Sequence, residues 1–252
     1  MGKTTRWSSV LMAGLLLAGL AGCTSTRENL GSDVTGTLQP FEQENRRGPC
    51  GERYSADEGM ELSMVRRMLD EERPRSALAY LEELDYAYPE AKLMQAEALR
   101  EIGHLEGSSL IYQGLVDGCL AADALRGLGR NAFEQQRHDD ALGYMRLARR
   151  ASPSDPRIRN DLGYLLMLRG HHGDAIEEFM TALELDDGLG NAASNLVLAL
   201  LQDGQAHRAE AAARRYRVSP EAFSALQAAV ERRAAPLPIP EDPALEIDDE
   251  TT

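Results

Sequence analysis

The chain has 252 residues and is acidic, with 41 Asp and Glu residues against 27 Lys and Arg and a formal net charge of −14. This charge argues against nucleic acid as a partner, because nucleic acid requires a basic face, and against broad electrostatic attachment to anionic lipid. Ala, Leu, Glu and Arg are abundant and Val and Ile are scarce, which favours an all-α domain.

The first 22 residues have the pattern of a bacterial export signal. Lys3 and Arg6 give a basic start, and Val10–Leu20 is an apolar stretch that is too short to span a bilayer comfortably. The stretch ends in the sequence LAGC, whose cysteine is Cys23. This sequence resembles a bacterial lipoprotein box, which implies that Cys23 is acylated and becomes the mature N-terminus. An ordinary secretory signal followed by a chance cysteine is the alternative.

Thr24 bears on the destination of such a lipoprotein. In lipoproteins that resemble this chain, Asp at this position favours retention in the inner membrane, so Thr24 predicts sorting to the outer membrane. We therefore expect a lipid-anchored protein that faces the periplasm, held stably by its acyl chains. Removal of the signal leaves 25 basic and 41 acidic residues, a net charge near −16.

Two further segments are predicted to lie outside the folded domain. Residues 23–57 are rich in Ser, Thr, Gly, Asn, Glu and Arg with little apolar periodicity, and we interpret them as the lipidated N-terminus and a flexible tether. Residues 235–252 hold four prolines, six acidic residues and no basic residue, which predicts an extended, disordered tail. This tail is either solubilising or a docking peptide.

Between these segments, small residues recur at a spacing of 34 residues. Ala141, Ala175 and Ala209 repeat at this interval, and so do Gly129 and Gly163. The pattern resembles the tetratricopeptide repeat family, in which short amphipathic helix pairs stack because no pair buries its apolar face alone. The resemblance implies an all-α, right-handed solenoid of about five helix-turn-helix units with a C-terminal capping helix, spanning residues 58–234.

The unit boundaries follow from helix start and stop signals. Asp155-Pro156 begins the clearest unit as an N-cap followed by the first turn, and Gly170 ends its first helix. Gly163 is expected where the two helices cross, with Phe179 filling the space beside it. Gln136 and Asp187 depart from the family pattern, which usually has Gly and Pro there. The predicted units are 58–88, 89–121, 122–155, 156–189 and 190–218, followed by a helix that begins at Ser219-Pro220.

Cysteine use leaves two hypotheses open. With Cys23 acylated, Cys50 and Cys119 remain in an oxidising compartment. They form a disulfide that attaches the tether to the second unit, or they are separate thiols, one of them buried near Leu120.

The sequence contains no recognisable catalytic machinery, and no cofactor is predicted. There is no phosphate-binding glycine loop, no nucleophile elbow and no zinc spacing. His171 and His172 are adjacent, so they do not share a helix face, and we interpret them as a solvated turn rather than a metal site. We therefore expect that the protein is not an enzyme.

The predicted function lies in the concave groove that the first helix of each repeat lines in this family. Arg side chains in an acidic protein suit a carboxylate, and Asn side chains suit a peptide backbone, so we expect a protein partner. Ordinary exposed helix surface is the alternative. The predicted groove residues are Arg126, Arg130, Asn160, Tyr164, Asn191 and Asn195.

The layout of lipoprotein box, short tether and tandem repeats resembles the TadD lipoproteins of the Flp (Tad) pilus system. The resemblance implies a pilotin-like role, in which the repeats bind the secretin or another pilus component and the lipid carries it to the outer membrane. Pilus-dependent adherence and biofilm formation would follow. The alternatives are a type IV pilus or type II secretion pilotin, and an adaptor for peptidoglycan hydrolases or outer-membrane assembly factors.

Overall fold

A computed structural model describes residues 46–234 of the chain. The predicted signal sequence, Cys23 and the predicted tail lie outside the described residues. Between residues 46 and 234, no helix is long and apolar enough to cross a membrane.

The described residues form an all-α solenoid, as predicted. A short antiparallel hairpin precedes five helix pairs, and a single helix follows the last pair. The five pairs match the five predicted units closely. The elements are β1 Arg46–Arg47, β2 Arg53–Tyr54, α1 Ala56–Asp70, α2 Pro74–Leu84, α3 Pro89–Glu101, α4 Leu105–Gln113, α5 Ala121–Glu134, α6 His138–Ala151, α7 Pro156–Leu168, α8 His172–Leu185, α9 Gly190–Gln202, α10 Ala206–Arg215 and α11 Pro220–Ala234.

The small repeated residues lie where helices cross. Ala141, Ala175 and Ala209 are fully buried. A Cβ atom added at Gly163 would lie 2.8 Å from Cε1 of Phe179, which is also fully buried. Since a side chain at this position would displace the ring, the predicted steric role of Gly163 is confirmed.

The start and stop signals also act as predicted. The Asp155 carboxylate accepts hydrogen bonds from the backbone N–H groups of Arg157 and Ile158, at 2.8 and 3.3 Å. Gly170 adopts the left-handed conformation with φ of 78° at the end of α7. Gln136 takes the same conformation with φ of 62° after α5, so this turn forms without the usual Gly.

The end of the predicted tether is part of the folded domain, which corrects the predicted start at residue 58. Tyr54 is 3% exposed, and its hydroxyl donates a hydrogen bond to Glu90 at 3.1 Å. Its ring packs edge-on against Tyr88, with 4.8 Å between centroids. Ser55 then caps α1 in a capping box with Glu58. Strands of two residues are too short to produce a periodic pattern, so the sequence did not indicate them.

The second unit departs from the others because Ser108 occupies the small-residue position. Ser108 is fully buried, and its hydroxyl donates a hydrogen bond to the Ala96 carbonyl at 2.9 Å. It accepts a hydrogen bond from the buried amide of Asn131 in α5, also at 2.9 Å. These bonds connect α3, α4 and α5, so a polar contact holds the units together where the others use alanine.

Candidate functional site

The first helices of successive units meet along one surface, which we call the first-helix face and define by α3, α5, α7 and α9. Arg126 of α5 pairs with Asp161 of α7, with 2.7 Å between Nε and Oδ2. One unit further on, the Asn195 amide of α9 donates a hydrogen bond to the Asn160 side-chain oxygen at 2.9 Å. Both contacts join residues 35 positions apart. The same diagonal contact therefore repeats with the structural unit.

Two further ion pairs connect neighbouring first helices at an interval of 34 residues. Arg100 of α3 contacts Glu134 of α5 at 3.3 Å, and Arg157 of α7 contacts Asp123 of α5 at 3.2 Å. The Arg100 side chain is only 9% exposed and also contacts Glu101 at 3.2 Å. Several positive charges of the first-helix face are thus neutralised by carboxylates of the neighbouring unit.

A pocket of about 270 Å³ opens between α5 and α7 on the first-helix face. Phe133 and Tyr164 form one wall, with ring centroids 6.0 Å apart and an interplanar angle of 79°. Tyr164 is 36% exposed, so part of its ring faces solvent. The lining residues are Gly129, Arg130, Phe133, Glu134, Met145, Asn160, Asp161, Tyr164 and Leu165.

Arg130 is the cation of this pocket. The two carboxylates of the lining, Glu134 and Asp161, are already paired with Arg100 and Arg126. Within residues 46–234, the Arg130 guanidinium makes no ion pair and no hydrogen bond. Burial lowers its pKa and the positive charges of Arg100 and Arg126 lower it further, whereas the negative charge of Asp161 acts in the opposite direction. An incoming anion would therefore find a partly desolvated cation that has no direct ion-pair partner within residues 46–234.

The equivalent position of α3 carries the opposite charge. Glu97 follows the buried Ala96 just as Arg130 follows Gly129, and it is half-buried. Burial raises the pKa of Glu97, although the positive charges of Arg66 and Arg100 act in the opposite direction. Along the first-helix face, this position thus changes from an acid in α3 to a base in α5 and to Tyr164 in α7.

The six predicted groove residues differ in where their side chains lie and in what they contact. Arg130, Asn160 and Tyr164 line the pocket together. Arg126 is held by Asp161 and is not a free cation, which corrects the prediction of two available arginines.

The three asparagines do not act as one set. Asn160 is only 5% exposed, and its side-chain oxygen accepts a hydrogen bond from the Asn195 amide, which keeps a second N–H and its own carbonyl oxygen for a partner. Asn191 is exposed, and its side-chain oxygen accepts a hydrogen bond from the backbone N–H of Ala192 at 2.9 Å.

Several residues of the site were missed from the sequence. Phe133, Glu134 and Asp161 all line the pocket. Asp161 follows Asn160 directly and lies 35 residues after Arg126, so the repeat period could have indicated that pair. Helix periodicity within α5 alone does not distinguish Arg126 from Arg130.

Cys50 and Cys119 lie together, with Cα atoms 5.4 Å apart and their Sγ atoms joined as a disulfide. Cys50 belongs to the turn between β1 and β2, and Cys119 to the connection between α4 and α5. The bond thus joins the N-terminal hairpin to the second unit.

No metal-binding cluster is present in the described part of the chain. Residues 46–234 contain no group of three or more His, Cys, Asp or Glu side chains placed to hold a metal ion. His171 is the exposed N-cap residue of α8 and makes no side-chain capping bond, while His172 begins the helix.

The chain is similar to known repeat proteins. A tetratricopeptide repeat family model matches residues 117–156 and 126–190. The TPR repeat-containing protein PA4299 of Pseudomonas aeruginosa is 35% identical over 167 residues, which cover 66% of this chain and 68% of that protein. A solved MamA structure from Desulfovibrio magneticus is 18% identical and covers 71% of this chain and 97% of its own, with a TM-score of 0.47. MamA from strain AMB-1 is 19% identical and covers 63% of this chain and 94% of its own, with a TM-score of 0.49. From the match to the Pseudomonas protein, we conclude that the chain belongs to the tetratricopeptide repeat-containing proteins, whose helix pairs typically form non-catalytic scaffolds for protein–protein interaction.

Proposed function

We propose that this protein is an outer-membrane lipoprotein that acts as a pilotin-like assembly factor for the Flp (Tad) pilus. Its partner would be the secretin or another pilus component, bound through the first-helix face. The observation that carries the proposal is the LAGC sequence at residues 20–23 ahead of five tandem repeats. An anchor at one end and a binding scaffold after it are what a carrier of membrane-bound partners requires.

The distribution of charge on the first-helix face supports a specific protein partner. Three ion pairs connect neighbouring first helices, Arg100 with Glu134, Arg126 with Asp161 and Arg157 with Asp123. Arg130 has no ion pair within residues 46–234, and it lies beside the aromatic wall of Phe133 and Tyr164. One cation beside apolar surface suits a defined polypeptide segment.

The test is affinity capture of the lipidated protein from detergent-solubilised envelopes, with mass spectrometry of the proteins that accompany it. We expect an Flp secretin or another Flp pilus component in the wild-type capture. Arg130→Glu should deplete it, whereas Arg146→Glu, which reverses an exposed arginine of α6, should not. Cys23→Ser should move the protein out of the outer-membrane fraction, because it removes the acylated thiol.

The identity of the captured proteins separates the alternatives. A secretin of a type IV pilus or type II secretion system would assign the protein to that system. Peptidoglycan hydrolases or outer-membrane assembly factors without a secretin would show an adaptor and reject the pilotin role.

A further inference from the structure

We propose that the pocket between α5 and α7 recognises a segment of the partner in which one acidic side chain lies next to a bulky apolar side chain. The apolar side chain would enter against Phe133 and Tyr164, and the acidic side chain would pair with Arg130. This inference rests on the proposed function only for the identity of the partner. The chemistry of the segment comes from the pocket itself.

The size of the pocket favours a side chain over a free small molecule. Its volume of about 270 Å³ is below the roughly 300–1,000 Å³ of sites that enclose drug-sized ligands. Phe133, Tyr164, Leu165 and Met145 supply the apolar part of its lining. Met145 also packs closely on Gly129, which keeps this surface in place. An aromatic or aliphatic side chain can therefore bury part of its surface here.

The charge of the pocket selects an acid. Glu134 and Asp161 are paired with arginines of their own, at 3.3 and 2.7 Å. Arg130 is partly withdrawn from solvent and has no such partner within the described residues. A carboxylate placed beside it would form a charge-assisted hydrogen bond that the folded protein alone lacks.

The second repeat unit, which precedes the pocket, limits the number of acidic residues that the bound segment can carry. Glu97 occupies in α3 the position that Arg130 occupies in α5, and it has no hydrogen-bond partner within residues 46–234. A second carboxylate in the direction of α3 would meet this like charge, whereas an apolar residue in the direction of α7 would meet Tyr164. A single acid beside an apolar residue fits this order better than an acidic run such as Asp248-Asp249-Glu250 of the chain's own C-terminal segment.

The experiment is selection of random dodecapeptides from a display library by the full mature protein. Wild-type protein and the matched control Arg146→Gln should enrich Asp or Glu next to Phe, Leu or Met. Arg130→Gln should lose the preference for an acidic residue and keep the preference for an apolar one. Arg130→Lys should retain part of the preference for an acidic residue. For a selected peptide, Arg130→Gln should weaken binding by about tenfold or more, since it removes a charge-assisted contact.

Three results would overturn the inference. The first is an acidic preference that Arg130→Gln leaves unchanged, and the second is the absence of peptide enrichment by any folded variant. The third is peptide enrichment only after removal of residues 235–252, which would assign the pocket to the chain's own C-terminal segment. The outcome is independent of the capture experiment. The expected peptide preference without any captured Flp pilus component would reject the pilus role alone, and a captured Flp pilus component without the preference would reject the pocket alone.

Discussion

At the scale of single residues, two glycines inside helices have opposite structural roles. Gly163 in α7 faces the Phe179 ring, and an added Cβ would lie 2.8 Å from Cε1 of that ring. A Cβ atom added at Gly143 in α6 would meet no atom within 4 Å apart from its chain neighbours and the backbone of its own helix. Only Gly163 is therefore required by packing, although both glycines cost helix propensity.

The same substitution at these two glycines should change stability in opposite directions. Gly143→Ala should stabilise the protein by about 0.5–1 kcal/mol through helix propensity. Gly163→Ala should destabilise it by about 1–3 kcal/mol, because the methyl group overpacks the contact with Phe179. Urea unfolding of both variants measures the two values. A stabilising Gly163→Ala would contradict the steric role of this glycine.

The two neighbouring arginines of α5 show how much of the site the sequence could predict. Arg126 and Arg130 are one helical turn apart, and the periodic pattern placed both on the first-helix face, where the structure has them. Which of them is free depends on Asp161, a residue of the next unit. Ion pairs between units depend on how two units stack. Helix periodicity within one unit carries no information about the distance between side chains of different units.

At the scale of elements, local signals predicted the helices better than they predicted the connections. Asp155 caps α7 and Ser219 caps α11, because their side chains accept hydrogen bonds from backbone N–H groups of the first turn. Both residues, each followed by Pro, predict the start of these helices from the sequence. The hairpin of β1 and β2 has no such signal. Tyr54 holds it through burial against α1 and α3, a tertiary contact that overrides the polar composition of the segment.

The bond between Cys50 and Cys119 closes 69 residues of sequence and attaches the hairpin to the α4–α5 connection. We expect no reactive thiol at either position in the native mature protein. Cys50→Ser with Cys119→Ser should lower the free energy of unfolding by up to about 4 kcal/mol in the chain-entropy model. Hydrogen exchange should then accelerate in residues 46–54 more than in α7 and α8. Two reactive thiols in the folded protein would contradict this prediction.

At the scale of the whole molecule, a solenoid is stabilised mainly by contacts between neighbouring units. Five units of similar design therefore contribute nearly additive stability, and the ends of the array have a contact on one side only. The helix α11 provides that last contact. Its Phe223 and Leu226 pack against the core that α9 and α10 share with the preceding units.

Removal of α11 should consequently weaken the array from its C-terminal end. A chain that ends at Val218 loses α11 together with residues 235–252, and a chain that ends at Ala234 loses the latter alone and serves as the matched control. We expect hydrogen exchange in the shorter chain to accelerate first in α9 and α10, while α1–α4 keep their protection, because each unit senses chiefly its nearest neighbours. The chain ending at Ala234 should exchange like the full chain. Equal acceleration in all ten remaining helices would instead show one cooperative unit, in which the units do not contribute separately to stability.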